Sequence, residues 1–436
     1  MPLTRRDLAA GAATGAGGAP AGSAGVPVAG PEAGATSAGP ANGVGAHGPG
    51  HGPLVPGPDG ILALPAGFSY RIVPRTGVTT PDSGASTPPH HDGTGASAGP
   101  RAATPPVDGR EPAGPRSDRP HPVPPAEGPA HDDHAFESVP DDLAAGRAAR
   151  PLTALGRFAC AAVVADPRRG HLYLTENAGT ENAGTENAGT ENAGTPDGLL
   201  YRWTPPPGFR HGRGRLRDLA DDAGVLAAAR CYDSGGRFVD DLSRATRPGT
   251  VHGVDWIEVP DRAARTVPVR RQFDDGEITR ARRPAGMWWA DGGAYLVFSS
   301  PCAQSPGRHA GQVWFLDPGR RTLTLTLRFG VNPAPERDGA YDGPGTISVS
   351  PHTGPIGDED GEGVRHPFGA TGDGRTRPVA RGGMDSGTAG GPEHGAFTGP
   401  VLPPDGRTLV VSLQEPGLMV AVTGPWRRQD RPGHRR

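Results

Sequence analysis

The chain has 436 residues, with Gly 70 and Pro 52 set against 34% hydrophobic and only 5% aromatic side chains. Glycine and proline at that level, without a G-X-Y period, exclude collagen and predict a folded part joined to long irregular segments. All 44 positive side chains are arginine, and a formal net charge of −3 gives no indication of the extended basic face that nucleic acid requires.

The N-terminus reads Thr4-Arg5-Arg6-Asp7-Leu8-Ala9-Ala10, followed by a weakly apolar run of Ala, Gly and Val to about Gly30. It is similar to a twin-arginine export signal, an arginine pair ahead of a stretch too weakly hydrophobic for a stable membrane helix. Residues 1–30 are therefore expected to be an export signal and residues 31–53 a disordered linker, with a body over 54–426 and a disordered tail at 427–436. That route carries folded proteins, often already loaded with metal, to the periplasm or outside the cell. No run of roughly 18 apolar residues is present, so no transmembrane helix is expected.

From Ile61 onward apolar residues come in runs of four to seven broken by Pro, Gly and Asp. Examples are Leu172-Tyr173-Leu174, Leu199-Leu200-Tyr201-Arg202-Trp203, Val254-Asp255-Trp256-Ile257-Glu258-Val259, Ala294-Tyr295-Leu296-Val297-Phe298, Gln312-Val313-Trp314-Phe315-Leu316, Leu323-Thr324-Leu325-Thr326-Leu327 and Leu409-Val410-Val411-Ser412-Leu413. Several alternate with period two, the mark of a strand with one buried face. Asp166-Pro167, Pro260-Asp261, Asp317-Pro318 and Pro404-Asp405 recur between them as tight turns, because Pro sets φ and Asp bonds the local backbone. Repeated strand–turn–strand units predict an all-β fold, a β-propeller or a sandwich. One amphipathic helix is predicted over residues 215–229, where Leu216, Leu219, Ala223, Leu226 and Ala227 fall near one face.

Residues 175–195 repeat Thr-Glu-Asn-Ala-Gly four times and close on Thr195. A five-residue period matches neither helix nor strand, so its carboxylates would not line one face and a replicated surface loop is expected. Cys160, Cys231 and Cys302 are odd in number and far apart, fitting neither a disulfide framework nor a CxxC zinc site. The tracts His90-His91 and His131-Asp132-Asp133-His134 lie in Pro/Gly-rich segments and read as solvated loops. Signatures of the nucleophile elbow, the phosphate-binding P-loop and the zincin helix are missing.

Longer strings are specific when taken together. They are Leu64-Pro65-Ala66-Gly67-Phe68-Ser69-Tyr70-Arg71, His91-Asp92-Gly93-Thr94-Gly95, Ala154-Leu155-Gly156-Arg157-Phe158, Asp197-Gly198-Leu199-Leu200-Tyr201-Arg202-Trp203, Gly286-Met287-Trp288-Trp289, Asp338-Gly339-Ala340-Tyr341-Asp342-Gly343-Pro344, Glu359-Asp360-Gly361-Glu362-Gly363 and Phe397-Thr398-Gly399-Pro400. In this order, over about Leu54 to Trp426, they resemble the PhoX-type alkaline phosphatase family. The resemblance implies a β-propeller whose axial pocket holds calcium and iron cofactors that bind and polarise a phosphate monoester, in a monomer exported by the twin-arginine route. Two or more hard cations suit this chemistry because they stabilise both the attacking and the leaving oxygen.

The same resemblance predicts a depleted site. Asp108-Gly109-Arg110-Glu111 stands where the family has Arg-Asn-His-Glu, and Cys160-Ala161 where it has a His-Glu pair; Ala285, Gly345 and Ala396 replace acids. A stretch that carries a metal-ligating Cys in the family is absent, an apparent deletion near 137–153 that would leave one blade incomplete. The metal-ligand acids that survive are Glu111, Glu176, Glu359 and Asp360, and Arg283 stands near the expected phosphate-binding position. Phosphatase activity is therefore expected to be absent or weak, with a non-catalytic exported binding propeller as the alternative. Trp288 and Trp289 would either anchor a partner in that case or pack between blades.

Overall fold

In the computed structural model, residues 51–75, 107–109, 135–137, 151–177, 198–212, 215–299, 311–330, 343–350, 354–359, 366–370, 376–383, 397–402, 406–413 and 417–426 are described. The strands are, in chain order, β1 (Leu54–Pro56), β2 (Leu62–Pro65), β3 (Ser69–Arg75), β4 (Val107–Gly109), β5 (Ala135–Glu137), β6 (Cys160–Ala165), β7 (Leu172–Glu176) and β8 (Leu199–Thr204). They continue with β9 (Val225–Tyr232), β10 (Phe238–Val239), β11 (Val251–Glu258), β12 (Pro284–Ala290), β13 (Gly293–Phe298), β14 (Gly311–Asp317), β15 (Thr322–Phe329) and β16 (Pro344–Ser350). The last are β17 (Gly354–Glu359), β18 (Pro367–Ala370), β19 (Thr376–Pro378), β20 (Arg381–Gly382), β21 (Phe397–Val401), β22 (Thr408–Leu413) and β23 (Leu418–Thr423). Among the described residues, helical structure is confined to 3-10 turns at Thr153–Leu155, Leu242–Arg244 and Val269–Arg271.

Four antiparallel meanders of four strands carry the fold: β6 to β9, β12 to β15, β16 to β19, and β21 to β23 completed by β3. Their first strands β6, β12, β16 and β21 pack against one another in that order, the arrangement of blades around a propeller axis. The contacts are close. A Cβ on Gly286 of β12 would come within 2.8 Å of the Thr346 Cα in β16, so only glycine lets the two strands approach this way. Outside the blades, β11 pairs with β9 along most of its length and with β15 at its start, joining the first two meanders into one ten-stranded sheet. The core lies between neighbouring sheets: Trp314, Phe298 and Leu296 face Tyr173, Leu200 and Ala229 between the first two blades. Leu409, Val411 and Val422 of the last blade pack under Ile61 and Leu62.

The apolar runs read from the sequence lie in β7, β8, β11, β13, β14, β15 and β22. In β15 the Leu/Thr alternation becomes strict burial alternation, each Leu inward and each Thr half-buried. Three of the four Asp turns form as expected, and Pro404-Asp405 lies outside the described residues: Asp166 Oδ1 accepts from Arg168 N at 2.8 Å, Asp261 Oδ1 from Ala263 N at 3.1 Å, and Asp317 Oδ1 from Gly319 N at 2.8 Å.

The predicted helix over 215–229 does not form: residues 216–223 make turns and Val225–Tyr232 is strand β9. Gly224 sits at φ +70°, and a Cβ there would lie 2.4 Å from the Thr204 carbonyl oxygen. That glycine reverses the chain, and the Ala-rich run after it is buried between β8 and β11, where small residues suit a two-sided strand as well as a helix. Cys160 and Cys231 are buried and form no disulfide among the described residues, while Cys302 lies outside them. Most of the repeat at 175–195, the two histidine tracts, the export signal and most of the apparent deletion near 137–153 also lie outside them.

Candidate functional site

The positions singled out from the sequence lie near the starts of the inner strands and the end of β7. Cys160, the first residue of β6, is paired with Glu176, the last of β7. From the preceding residue, Thr175 Oγ1 donates to the carbonyl of Ala285 at 2.9 Å, which ties this end of the first blade to the start of β12. One position further along β12, Gly286 lies against Thr346, the neighbour of Gly345 in β16. Thr175 and Glu176 point to opposite faces of β7, so Ala285 meets the Thr175 face, while the Glu176 carboxylate turns to the other face, toward Tyr201 and Arg270.

Glu176 is fully buried and both its oxygens are engaged. Oε2 accepts from the Tyr201 hydroxyl at 2.5 Å, and Oε1 lies 3.1 Å from Nη1 of Arg270, whose side chain is only 5% exposed. Burial and the adjacent carboxylate push the Tyr201 phenol well above its ordinary pKa, so it serves as a neutral donor. Its ring packs on Phe158 with centroids 4.4 Å apart. Arg270 comes from the 3-10 turn Val269–Arg271, outside the blades, and its carbonyl accepts from Arg280 Nη2 at 3.1 Å. A cleft of about 240 Å³ opens beside the pair, lined by Arg157, Phe158, Glu176, Thr266, Pro268 and Arg270.

Arg283 is exposed and precedes Pro284 with φ +40°, a conformation that non-glycine residues rarely adopt. The backbone before it is tightly stitched: Thr279 N to Ala229 O, Arg280 N to Asp240 O and Ala281 N to Gly198 O are each 2.9 Å. Ser299 N then donates to the Arg283 carbonyl at 3.1 Å. Next to it, Arg282 turns inward, donating from Nε to Ser243 Oγ at 3.0 Å and placing Nη2 3.4 Å from Asp241 Oδ2. Arg283 therefore sits on a well-anchored strained corner, the kind of position where strain accompanies function.

Of the acids expected as ligands, Glu176 alone has a described side chain. Glu111 and Asp360 lie outside the described residues, and Glu359 ends β17 with its backbone opposite Pro344. The acid seen beside the Gly345 position is Asp358, whose Oδ1 accepts from both the backbone and the hydroxyl of Thr346. Sequence reasoning missed Arg270, Tyr201 and Asp358. Arg270 is one arginine among 44 cations and stands 94 positions from its partner, so no local pattern marks it. Trp288 packs with Val297, Val313 and Phe329, and Trp289 stacks on Tyr173 at 6.2 Å, which is blade packing.

Comparison with known proteins bears on the same residues. No curated protein matches the chain's sequence. Among solved structures, Pseudomonas fluorescens PhoX in complex with vanadate, a transition state analogue, is 17% identical with a TM-score of 0.45. That match covers 69% of this chain, and this chain spans 58% of the Pseudomonas protein. The PQQ domain of pyranose dehydrogenase from Coprinopsis cinerea, in holo form, is 9% identical with a TM-score of 0.27, covering 62% of this chain and 83% of its own. The family described as Alkaline phosphatase PhoX matches residues 134–417, well over half of the sequence and the span that carries the inner strands and Glu176. By that match the chain belongs to the PhoX alkaline phosphatase family.

Proposed function

We propose that this chain is an exported PhoX-family protein whose phosphate monoester hydrolysis is weak or absent because its metal pocket has lost most of its donors. One observation carries the reading. Ala161, Ala285 and Gly345 stand where the family has ligands, and the carboxylate of Glu176, paired through its backbone with Cys160, is already engaged by Arg270 and Tyr201. Calcium takes six to eight oxygen ligands, and ferric iron also suits carboxylates. Ala and Gly side chains offer none, and a guanidinium 3.1 Å from the Glu176 carboxylate opposes a cation there. These residues do not fit a calcium and iron centre. Arg283, exposed on its anchored corner, is the group that would meet a phosphate oxyanion.

The test is hydrolysis of a chromogenic phosphate monoester by purified, folded protein with calcium and iron, against a chelator control. We expect no metal-dependent turnover. Turnover that rises with calcium or iron and falls with chelator would overturn the reading.

A further inference from the structure

We propose that Arg270 takes the place of a metal ion at Glu176, a fixed organic cation that neutralises the buried carboxylate and holds this end of the propeller together. The inference rests on the family reading of Glu176 as a ligand position.

A carboxylate at 0% exposure needs a compensating charge or it does not stay ionised. The compensation here is built into the fold. Val269, next to Arg270, is fully buried in the core of the first blade. On the other side, Gln272 fastens the turn by donating from Nε2 to Asp261 O at 2.8 Å and to Val267 O at 2.9 Å, while its Oε1 accepts from Asp261 N at 2.8 Å. Arg280 Nη2 bonds the Arg270 carbonyl itself. The guanidinium is thus delivered from a turn pinned on both sides, and the neutral Tyr201 phenol fills the second oxygen of Glu176 as a donor. Cys160 opposite Glu176 points its thiol to Ala162 O at 3.8 Å. With Arg270 removed, the carboxylate would be left buried and open to a small hard cation.

The experiment is thermal unfolding of the full chain in millimolar calcium and in chelator, for wild type, Arg270→Ala, Glu176→Gln and the double variant. Arg270→Ala should lose about 10 °C of Tm in chelator, the loss expected on stranding a buried charge. Calcium should restore part of that loss, and the restoration should vanish in Glu176→Gln/Arg270→Ala. A calcium response equal in wild type and Arg270→Ala would overturn the proposal. Glu176→Gln provides the check should Arg270→Ala fail to fold. An equal loss of stability in calcium and in chelator supports an arginine as the cation, and a loss seen only in calcium refutes it. Ester hydrolysis is scored separately, so a wild type that turns over substrate would sink the weak-activity reading and leave this result standing.

Discussion

Among the described residues Arg262 has no carboxylate in bonding range, and it spends its guanidinium on three backbone oxygens. Nη1 donates to Ala154 O at 3.0 Å and Ala223 O at 2.9 Å, and Nη2 to Gly224 O at 2.7 Å. Those carbonyls belong to the turn before β6 and the reversal before β9, so one side chain closes two connections. Burial holds its pKa below the usual arginine value, against the pull of Glu258 and Asp222. A planar fork reaches three acceptors in a way that a lysine ammonium on a single stem does not. Arg262→Ala should cost about 2–4 kcal/mol and Arg262→Lys most of the same, read from urea unfolding. A lysine variant as stable as wild type would show that charge, rather than the fork, is what matters. Asp241, Glu176 and Asp358 follow the same economy, each buried acid being committed to partners within the chain. That is why acids surviving in the sequence are weak evidence for a working metal centre.

At the scale of strands, the pattern of the sequence was a good guide wherever one face is buried and the other is not, as in β15. It failed at β9, because Val225-Leu226-Ala227-Ala228-Ala229 carries no alternation to separate a two-sided strand from a helix, and the deciding Gly224 conformation is local. Glu176 was singled out by the strings around it, but its partner Arg270 was not, since that pairing depends on how a turn outside the blade folds back. The bridging strand β11 adds a pH dependence. His252 is buried, stacks on Trp314 at 5.5 Å and leaves Nδ1 without a hydrogen-bond partner among the described residues. Burial lowers its pKa below the usual 6.5, more than Asp233 raises it; His171 is lowered by burial and by Arg202. Both imidazoles therefore bind protons more tightly in the unfolded chain. Stability should be complete above about pH 6.5 and fall as pH drops toward the folded pKa values, by at most about 1.4 kcal/mol per pH unit for each histidine. His252→Phe, which keeps the stack, should flatten part of that slope between pH 5 and 7 in denaturant titrations. An unchanged slope would assign the dependence elsewhere.

At the scale of the whole molecule, the last blade is completed by a strand from near the start of the described chain. β3 pairs with β23 from Ser69↔Thr423 to Leu418↔Arg75, and Phe68 packs edge-on to Trp426 at 4.8 Å. No pattern in the sequence marks this pairing, because alternation tells which face of a strand is buried and not which strand lies beside it. Without β3, β23 would be an open edge of mostly apolar residues, and an edge of that kind invites association with other chains. The closure can be tested covalently. The hydroxyls of Ser69 and Thr423 lie 3.4 Å apart on directly paired, exposed positions, a spacing that suits a disulfide between facing strand residues. Ser69→Cys/Thr423→Cys should form that bond under mild oxidation without disturbing the buried Cys160 and Cys231. A loop spanning 354 positions has a chain-entropy ceiling of about 5–6 kcal/mol, and engineered bonds deliver less, so a Tm gain of several degrees that reduction abolishes is the expected result. A crosslink that forms and leaves Tm unchanged would mean that unfolding starts away from this seam; one that does not form would remove β3 from the blade.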